Sequence, residues 1–218
     1  MTSPLHPAAD GGHRRAMCVA CLRAQSACIC RWVAQCDNAV DLLILQHPME
    51  VVNAKGSARL LHLSLARSRL EVGEMFAPET LAQWLTADGR RPVLLYPETV
   101  EAGGPVMAPG APFDAAWCAQ PERLRLVVLD GTWRKSRKML YLNPALQSLP
   151  RLPLRDTPPS HYLIRKAHLP DQLSTLEATC YALQQLEGRP VAFEPLITAF
   201  DGFVGQQQGY AQGARGPR

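Results

Sequence analysis

The chain of 218 residues has 47% apolar side chains, 23 basic and 19 acidic residues, a formal net charge of +4 and seven cysteines. This apolar content excludes wholesale disorder and suffices for one sizeable core with an accessory piece. No apolar run approaches the roughly 20 residues that span a bilayer, and no basic start followed by an apolar stretch marks a secretion signal. A cytoplasmic protein without a membrane partner is therefore expected, in which cysteines serve as metal ligands or core thiols rather than as a disulfide framework.

Residues 1–15 are polar and unpatterned and read as a flexible arm. Residues 16–38 hold Cys18, Cys21, Cys28 and Cys30, spaced C-x2-C-x6-C-x-C. Four thiolates within so short a segment can close a tetrahedral shell around a structural Zn2+, leaving no open position for catalysis. Redox-active or adventitious thiols are the alternative. Cys36 reads as a spare, and Cys118 and Cys180 as core residues.

From residue 39 onward, strand and helix patterns alternate. Ala39 to Gln46 suits a strand buried on both faces, and Lys55 to Arg67 has the apolar spacing of an amphipathic helix. Leu70 to Val72 predicts a short strand, Pro78 to Thr86 a helix, Pro92 to Tyr96 a strand, and Leu124 to Leu129 another. Between the last two, Pro97 to Asp114 contains four prolines and three glycines and is either a lid beside the site or a disordered insertion. Helices follow over Gly131 to Tyr141, Ser174 to Glu187 and Glu194 to about Val204; Ser174 and Glu177 form a capping-box pattern. The tail 205–218 reads as flexible. Such alternation predicts an α/β domain over 39–204 with a mostly parallel sheet.

Charge is concentrated in one stretch. Between Asp130 and His168, eight basic residues (Arg134, Lys135, Arg137, Lys138, Arg151, Arg155, Arg165 and Lys166) face only Asp130 and Asp156 in sequence. That concentration suits a polyanion, nucleic acid first; a solvated basic helix face is the alternative. The same stretch opens on Asp130-Gly131-Thr132-Trp133, directly after a buried strand. Ligands of open α/β sheets sit beyond strand carboxyl ends, so Asp130 stands where a catalytic group would. Capping of the next helix by Asp130 or Thr132, with Trp133 filling core, is the competing reading.

Asp130 to Trp133 resembles the D-x-T-W signature of the DTW-domain proteins, whose characterised members are tRNA-uridine aminocarboxypropyltransferases. Further ordered matches lie around it. The quartet Cys18, Cys21, Cys28 and Cys30 is similar to the family's zinc-binding knuckle. Gln46-His47-Pro48-Met49-Glu50, Leu95-Tyr96-Pro97, and Arg165-Lys166 followed by Leu173-Ser174-Thr175-Leu176-Glu177-Ala178 resemble its other segments. Lys55-Gly56-Ser57-Ala58-Arg59 departs from the expected Asn-Thr-Gly-like turn, with Ser57 able to stand in for the hydroxyl.

The resemblance implies a SPOUT-like α/β fold, mostly parallel, with a knotted C-terminal part and a small zinc knuckle ahead of it. It implies S-adenosylmethionine as donor substrate, tRNA as partner and N3 of a uridine as acceptor. Asp130, Thr132 and Trp133 are then the expected catalytic residues, with Asp130 as general base or N3–H acceptor. Tyr96, Pro97, Leu129, Asp130, Leu173, Ser174, Thr175 and Glu177 are expected to bind the donor, the α-helical start at Ser174 offering N–H groups to its carboxylate. Arg134, Lys135, Arg137, Lys138, Arg165 and Lys166 are expected to hold RNA phosphates. A zinc-containing RNA-binding protein without catalysis, or a SPOUT-like RNA methyltransferase, is the alternative.

Overall fold

The computed structural model describes residues 16–97, 110–160 and 173–213. The expected N-terminal arm, most of the Pro97–Asp114 loop, and Arg165 and Lys166 lie outside the described residues.

Five strands form one sheet: β1 (Asp41–Gln46), β2 (Ser68–Val72), β3 (Arg91–Leu95), β4 (Leu124–Asp130) and β5 (Arg151–Leu152), in the order β2-β1-β4-β3-β5. Every pairing is parallel, which makes the sheet wholly rather than mostly parallel. Parallel strands need crossovers, and those crossovers cover both faces, so the central strands read as continuous apolar runs. All seven β4 residues are buried, and they alternate between two cores. Leu124, Leu126 and Val128 face one side with Leu42 and Ile44 of β1; Val127 and Leu129 face the other with Leu43 and Leu45.

Helices α1 (Pro48–Val51) and α2 (Ala58–Ser64) link β1 to β2, α3 (Pro78–Thr86) leads to β3, and α4 (Trp133–Leu142) and α5 (Pro144–Gln147) follow β4. Helices α6 (Thr175–Glu187) and α7 (Glu194–Gly213) complete the chain. The first core packs under α2, α6 and α7 through Leu60, Leu176, Leu183, Phe200 and Phe203. The second packs under α3, α4 and α5 through Leu81, Met139 and Leu146. The result is three layers, with the crossovers leaving their turns at the carboxyl end of the sheet.

Two expectations are sharpened. The Ser174–Glu177 capping box is present with both hydrogen bonds, and Gly188 at φ 62° closes the same helix in the left-handed region that suits glycine. The last helix, by contrast, does not stop near Val204: it runs to Gly213, so the tail is helical well past residue 205. The added turns carry contacts. Gln206 Oε1 accepts from Trp32 Nε1 at 2.5 Å, Gln206 Nε2 donates to the Cys28 carbonyl at 3.2 Å, and Tyr210 donates to the Ser26 carbonyl at 2.6 Å. Tertiary bonds thus hold a glycine-containing, polar segment helical where propensity alone would not. No helix among the described residues is long and apolar enough to cross a membrane.

Candidate active site at the carboxyl ends of the strands

β1 and β4 are neighbours in register, with Gln46 opposite Asp130 on their last rung. The strand order reverses around this pair, which is where open parallel sheets form a crevice. Asp130 is only 5% exposed. Its Oδ2 accepts from Gln46 Nε2 at 2.9 Å and its Oδ1 accepts from Thr175 Oγ1 at 2.7 Å. Both partners donate, which satisfies an ionised carboxylate. Asp130 therefore does not cap α4 with its side chain. Nor does Thr132, which occupies the N-cap position without a side-chain cap bond.

Trp133, the first residue of α4, is 50% exposed rather than core. Its ring meets buried Tyr96 edge-on, with centroids 5.9 Å apart, and Arg151 lies over the other ring of the pair at 5.6 Å from the Tyr96 centroid. An indole propped on a buried tyrosine and open to solvent offers a face on which a base can stack.

The four α4 cations do not act alike. Lys135 Nζ donates to Glu50 Oε1 at 2.8 Å, and that carboxylate is buried and also accepts from Asn53. Lys138 Nζ donates to Glu74 Oε2 at 2.9 Å. Lys135 is thus engaged by a buried carboxylate, whereas Lys138, 59% exposed, pairs with a partly exposed one at the surface; the two acids, from α1 and the β2–α3 turn, are remote in sequence. Arg134 is exposed and Arg137 half-buried on the remaining helix surface.

Glu74 is tied twice. Lys138, then His47, hold its carboxyl below the ordinary range. His47 Nδ1 accepts from the Met49 backbone N–H at 3.1 Å, which leaves the ring proton on Nε2 to donate to Glu74 Oε1 at 3.0 Å. The His47 backbone N–H donates to the Asp130 carbonyl at 2.9 Å. The Q-H-P-x-E segment is thus the bracket that joins the ends of β1, β4 and α4.

The residues expected to bind a donor divide in the same way. Tyr96 and Leu129 are buried and Pro97 is exposed at the end of β3. Leu173 is half-buried. Glu177 is fully buried, its carboxylate accepting from the Ser174 backbone N–H at 2.8 Å and from Ser160 Oγ at 3.1 and 3.0 Å. Two N–H groups of the first α6 turn are likewise occupied: that of Leu176 by Ser57 Oγ at 3.3 Å and that of Glu177 by Ser174 Oγ at 3.1 Å. The expectation that this helix start offers N–H groups to a carboxylate is reduced accordingly. Gln46 and His47 are visible in the sequence only as part of the Q-H-P-x-E segment, and Ser57 only as the hydroxyl of the departing turn; Glu74 is a site residue that sequence reasoning does not single out.

Away from the crevice, the Sγ atoms of Cys18, Cys21, Cys28 and Cys30 all lie within 4.8 Å of one another. Cys18–Cys30 is 3.6 Å and Cys21–Cys28 is 3.8 Å. A tetrahedron with metal–sulfur bonds of about 2.3 Å has edges of about 3.8 Å, so the cluster fits a divalent cation. Cys18 and Cys30 differ in acidity. Backbone N–H groups of Cys21 and Ala20 hold the Cys18 thiol down to about 6, whereas burial, then the neighbouring thiols, push Cys30 up to about 12. Cys36 and Cys180 are buried and apart from the cluster, as expected of a spare and a core thiol; Cys118 packs partly buried against the same core.

A three-layer parallel domain with a carboxylate at a central strand end and an appended thiol module defines an α/β protein of the open-sheet class, in which ligands lie beyond strand carboxyl ends. The chain belongs to the DTW domain family, whose profile matches residues 15–208. Curated relatives named tRNA-uridine aminocarboxypropyltransferase 2 are similar to it. The Drosophila melanogaster protein is 29% identical over 203 residues, covering 87% of this chain and 74% of the relative. The Mus musculus protein is 27% identical over 198 residues (86% and 62%), and the Macaca fascicularis protein 26% over 199 (89% and 63%). The chain thus spans less than two thirds of the length of the two mammalian relatives. No solved structure matches it.

Proposed function

We propose that this chain transfers the 3-amino-3-carboxypropyl group of S-adenosylmethionine to N3 of a uridine in tRNA, releasing methylthioadenosine. The observation that carries the reading is the Asp130 carboxylate, held at the strand end by Gln46 and Thr175 beside half-exposed Trp133 at the head of a basic helix. In the reaction a uridine N3–H loses its proton, N3 bonds to the methylene carbon next to sulfur, and the carbon–sulfur bond breaks with its electron pair going to sulfur. The sulfonium is its own leaving group, so the protein must position the partners and accept a proton. Asp130 is the acceptor of N3–H and relays the proton to solvent. Trp133 stacks on the uracil or a neighbouring base, and Thr132, exposed at the same helix start, orients the uracil.

Arg134 and Arg137 supply phosphate contacts from α4, whose first N–H groups add to the attraction for anions. Arg165 and Lys166 belong to the same proposed footprint. The donor lies against Tyr96, Pro97, Leu129 and the Leu173–Ser174 segment ahead of α6, in a SPOUT-like domain with a knotted C-terminal part. Cys18, Cys21, Cys28 and Cys30 hold a structural Zn2+ that fixes the knuckle. The setting is the cytoplasm.

The test uses purified protein, unmodified tRNA and S-adenosylmethionine labelled either in the aminocarboxypropyl carbons or in the methyl group. Label entering tRNA from the carbon chain alone supports the reading. Methyl incorporation assigns a methyltransferase instead, and tight tRNA binding with no incorporation assigns an RNA-binding protein.

A further inference from the structure

A carboxylate can accept about four hydrogen bonds and turns freely about its last bond unless partners hold it. At Asp130 the partners come from two different elements and reach two different oxygens: Gln46 from β1 and Thr175 from α6, residues 84 and 45 positions away in sequence. Rotation of the carboxylate breaks both bonds. The resemblance assigned Thr175 to the donor substrate, yet its hydroxyl donates to Asp130 at 2.7 Å.

The placement of Thr175 has its own support. Ser57 is 4% exposed, and its Oγ accepts from the Leu176 N–H at 3.3 Å, while its carbonyl accepts from Leu61 to open α2. One serine thereby joins the start of α2 to the start of α6. Its loop is fixed from the opposite side by Arg23 of the thiol module, which donates to the carbonyls of Ala54 at 2.5 Å and Gly56 at 2.8 Å. The turn that departs from the family pattern is therefore the foundation of the helix that presents Thr175.

We propose that Gln46 and Thr175 are positioning residues that fix the orientation of the Asp130 carboxylate, and that Ser57 sets Thr175 for that task. The inference rests on the transfer reaction above. Orientation of a reacting group governs turnover far more than it governs binding.

Thr175→Val keeps the branched shape and removes the donor. The expected result is a fall in kcat of about 10- to 100-fold, with KM for S-adenosylmethionine and for tRNA within about twofold of wild type. The acidic limb of the kcat–pH profile moves upward, because the carboxylate loses a donor that favours its charged form. Thr175→Ser returns kcat to within about threefold of wild type, and Ser57→Ala gives a smaller fall with the same split. A raised KM for S-adenosylmethionine with kcat retained overturns the proposal and makes Thr175 a donor contact. A Thr175→Ser variant no better than Thr175→Val, with melting temperatures lowered in parallel, overturns it in favour of a purely structural role.

The contact is also readable without turnover, from the NMR resonances of the Gln46 side-chain amide. A shift in Thr175→Val relative to wild type supports a shared carboxylate; an unchanged resonance overturns it. A wild-type chain that shows this coupling but transfers nothing sinks the transferase reading and leaves the shared carboxylate standing.

Discussion

Gln46 and Asp130 face each other twice: as backbone partners on the last rung of β1 and β4, and again through their side chains, where Nε2 donates to Oδ2 at 2.9 Å. A parallel ladder fixes the spacing of the rung, so the side-chain bond inherits its precision from the sheet rather than from a loop. The proposed chemistry then sits at the end of the central strands, while the flanking indole and Arg134 are exposed.

The α4 cations separate stability from binding. Lys135→Met leaves the Glu50 carboxylate buried with its cation gone and should destabilise the fold by about 3 kcal/mol. Arg134→Met removes an exposed charge and should leave stability within about 0.5 kcal/mol, while weakening tRNA binding and lowering its salt dependence by about one phosphate contact. Urea titrations and filter binding at several salt concentrations check both.

Gly202 tests the seat of the thiol module. A Cβ there would stand 2.1 Å from the Trp32 ring. Alanine is the better helix former by about 1 kcal/mol, but overpacking against a docked ring costs about 1–3 kcal/mol. Gly202→Ala should therefore destabilise, by denaturant titration; a stabilised variant would mean that α7 and the knuckle do not pack this way.

Metal content follows from the four sulfurs. Purified protein should carry one Zn2+ per chain, and Cys21→Ser should lose it with a melting temperature lower by roughly 10 °C, the equivalent of about 3 kcal/mol in a chain of this size. Cys118→Ser, away from the cluster, should retain the metal. Elemental analysis and thermal melts decide the matter.

His62 contributes a pH dependence. Burial, then Arg59, lower its pKa below the ordinary 6.5. A folded-state value below the unfolded one means that this stability is complete above about pH 6.5 and is lost as pH falls through the depressed value. Melting temperatures of wild type should drop more steeply between neutral and mildly acidic pH than those of His62→Gln. Parallel curves would remove His62 from the account.

What could be read from the sequence was what the chain specifies locally. Leu126 to Leu129 is apolar throughout because both faces of β4 are covered, and the Ser174–Glu177 box closes within one turn. The four cysteines fall within a span of thirteen residues, so their convergence was also visible. What escaped was long-range. The run of eight basic residues gave no hint that Glu50 and Glu74, far upstream, would engage Lys135 and Lys138. The tail beyond Val204 has glutamines and glycines and no apolar stripe of its own, and only the contacts of Gln206 and Tyr210 with the knuckle explain its helix. Thr175 was noticed for its motif, and its actual neighbour, Asp130, could not be inferred from spacing.

The central claim is that Asp130 accepts the proton of uridine N3 during transfer. Single-turnover transfer by wild type and Asp130→Asn, measured beside tRNA affinity, tests it most directly. The account predicts a rate lower by at least about 100-fold with affinity within about threefold. Transfer by Asp130→Asn at close to the wild-type rate would contradict it.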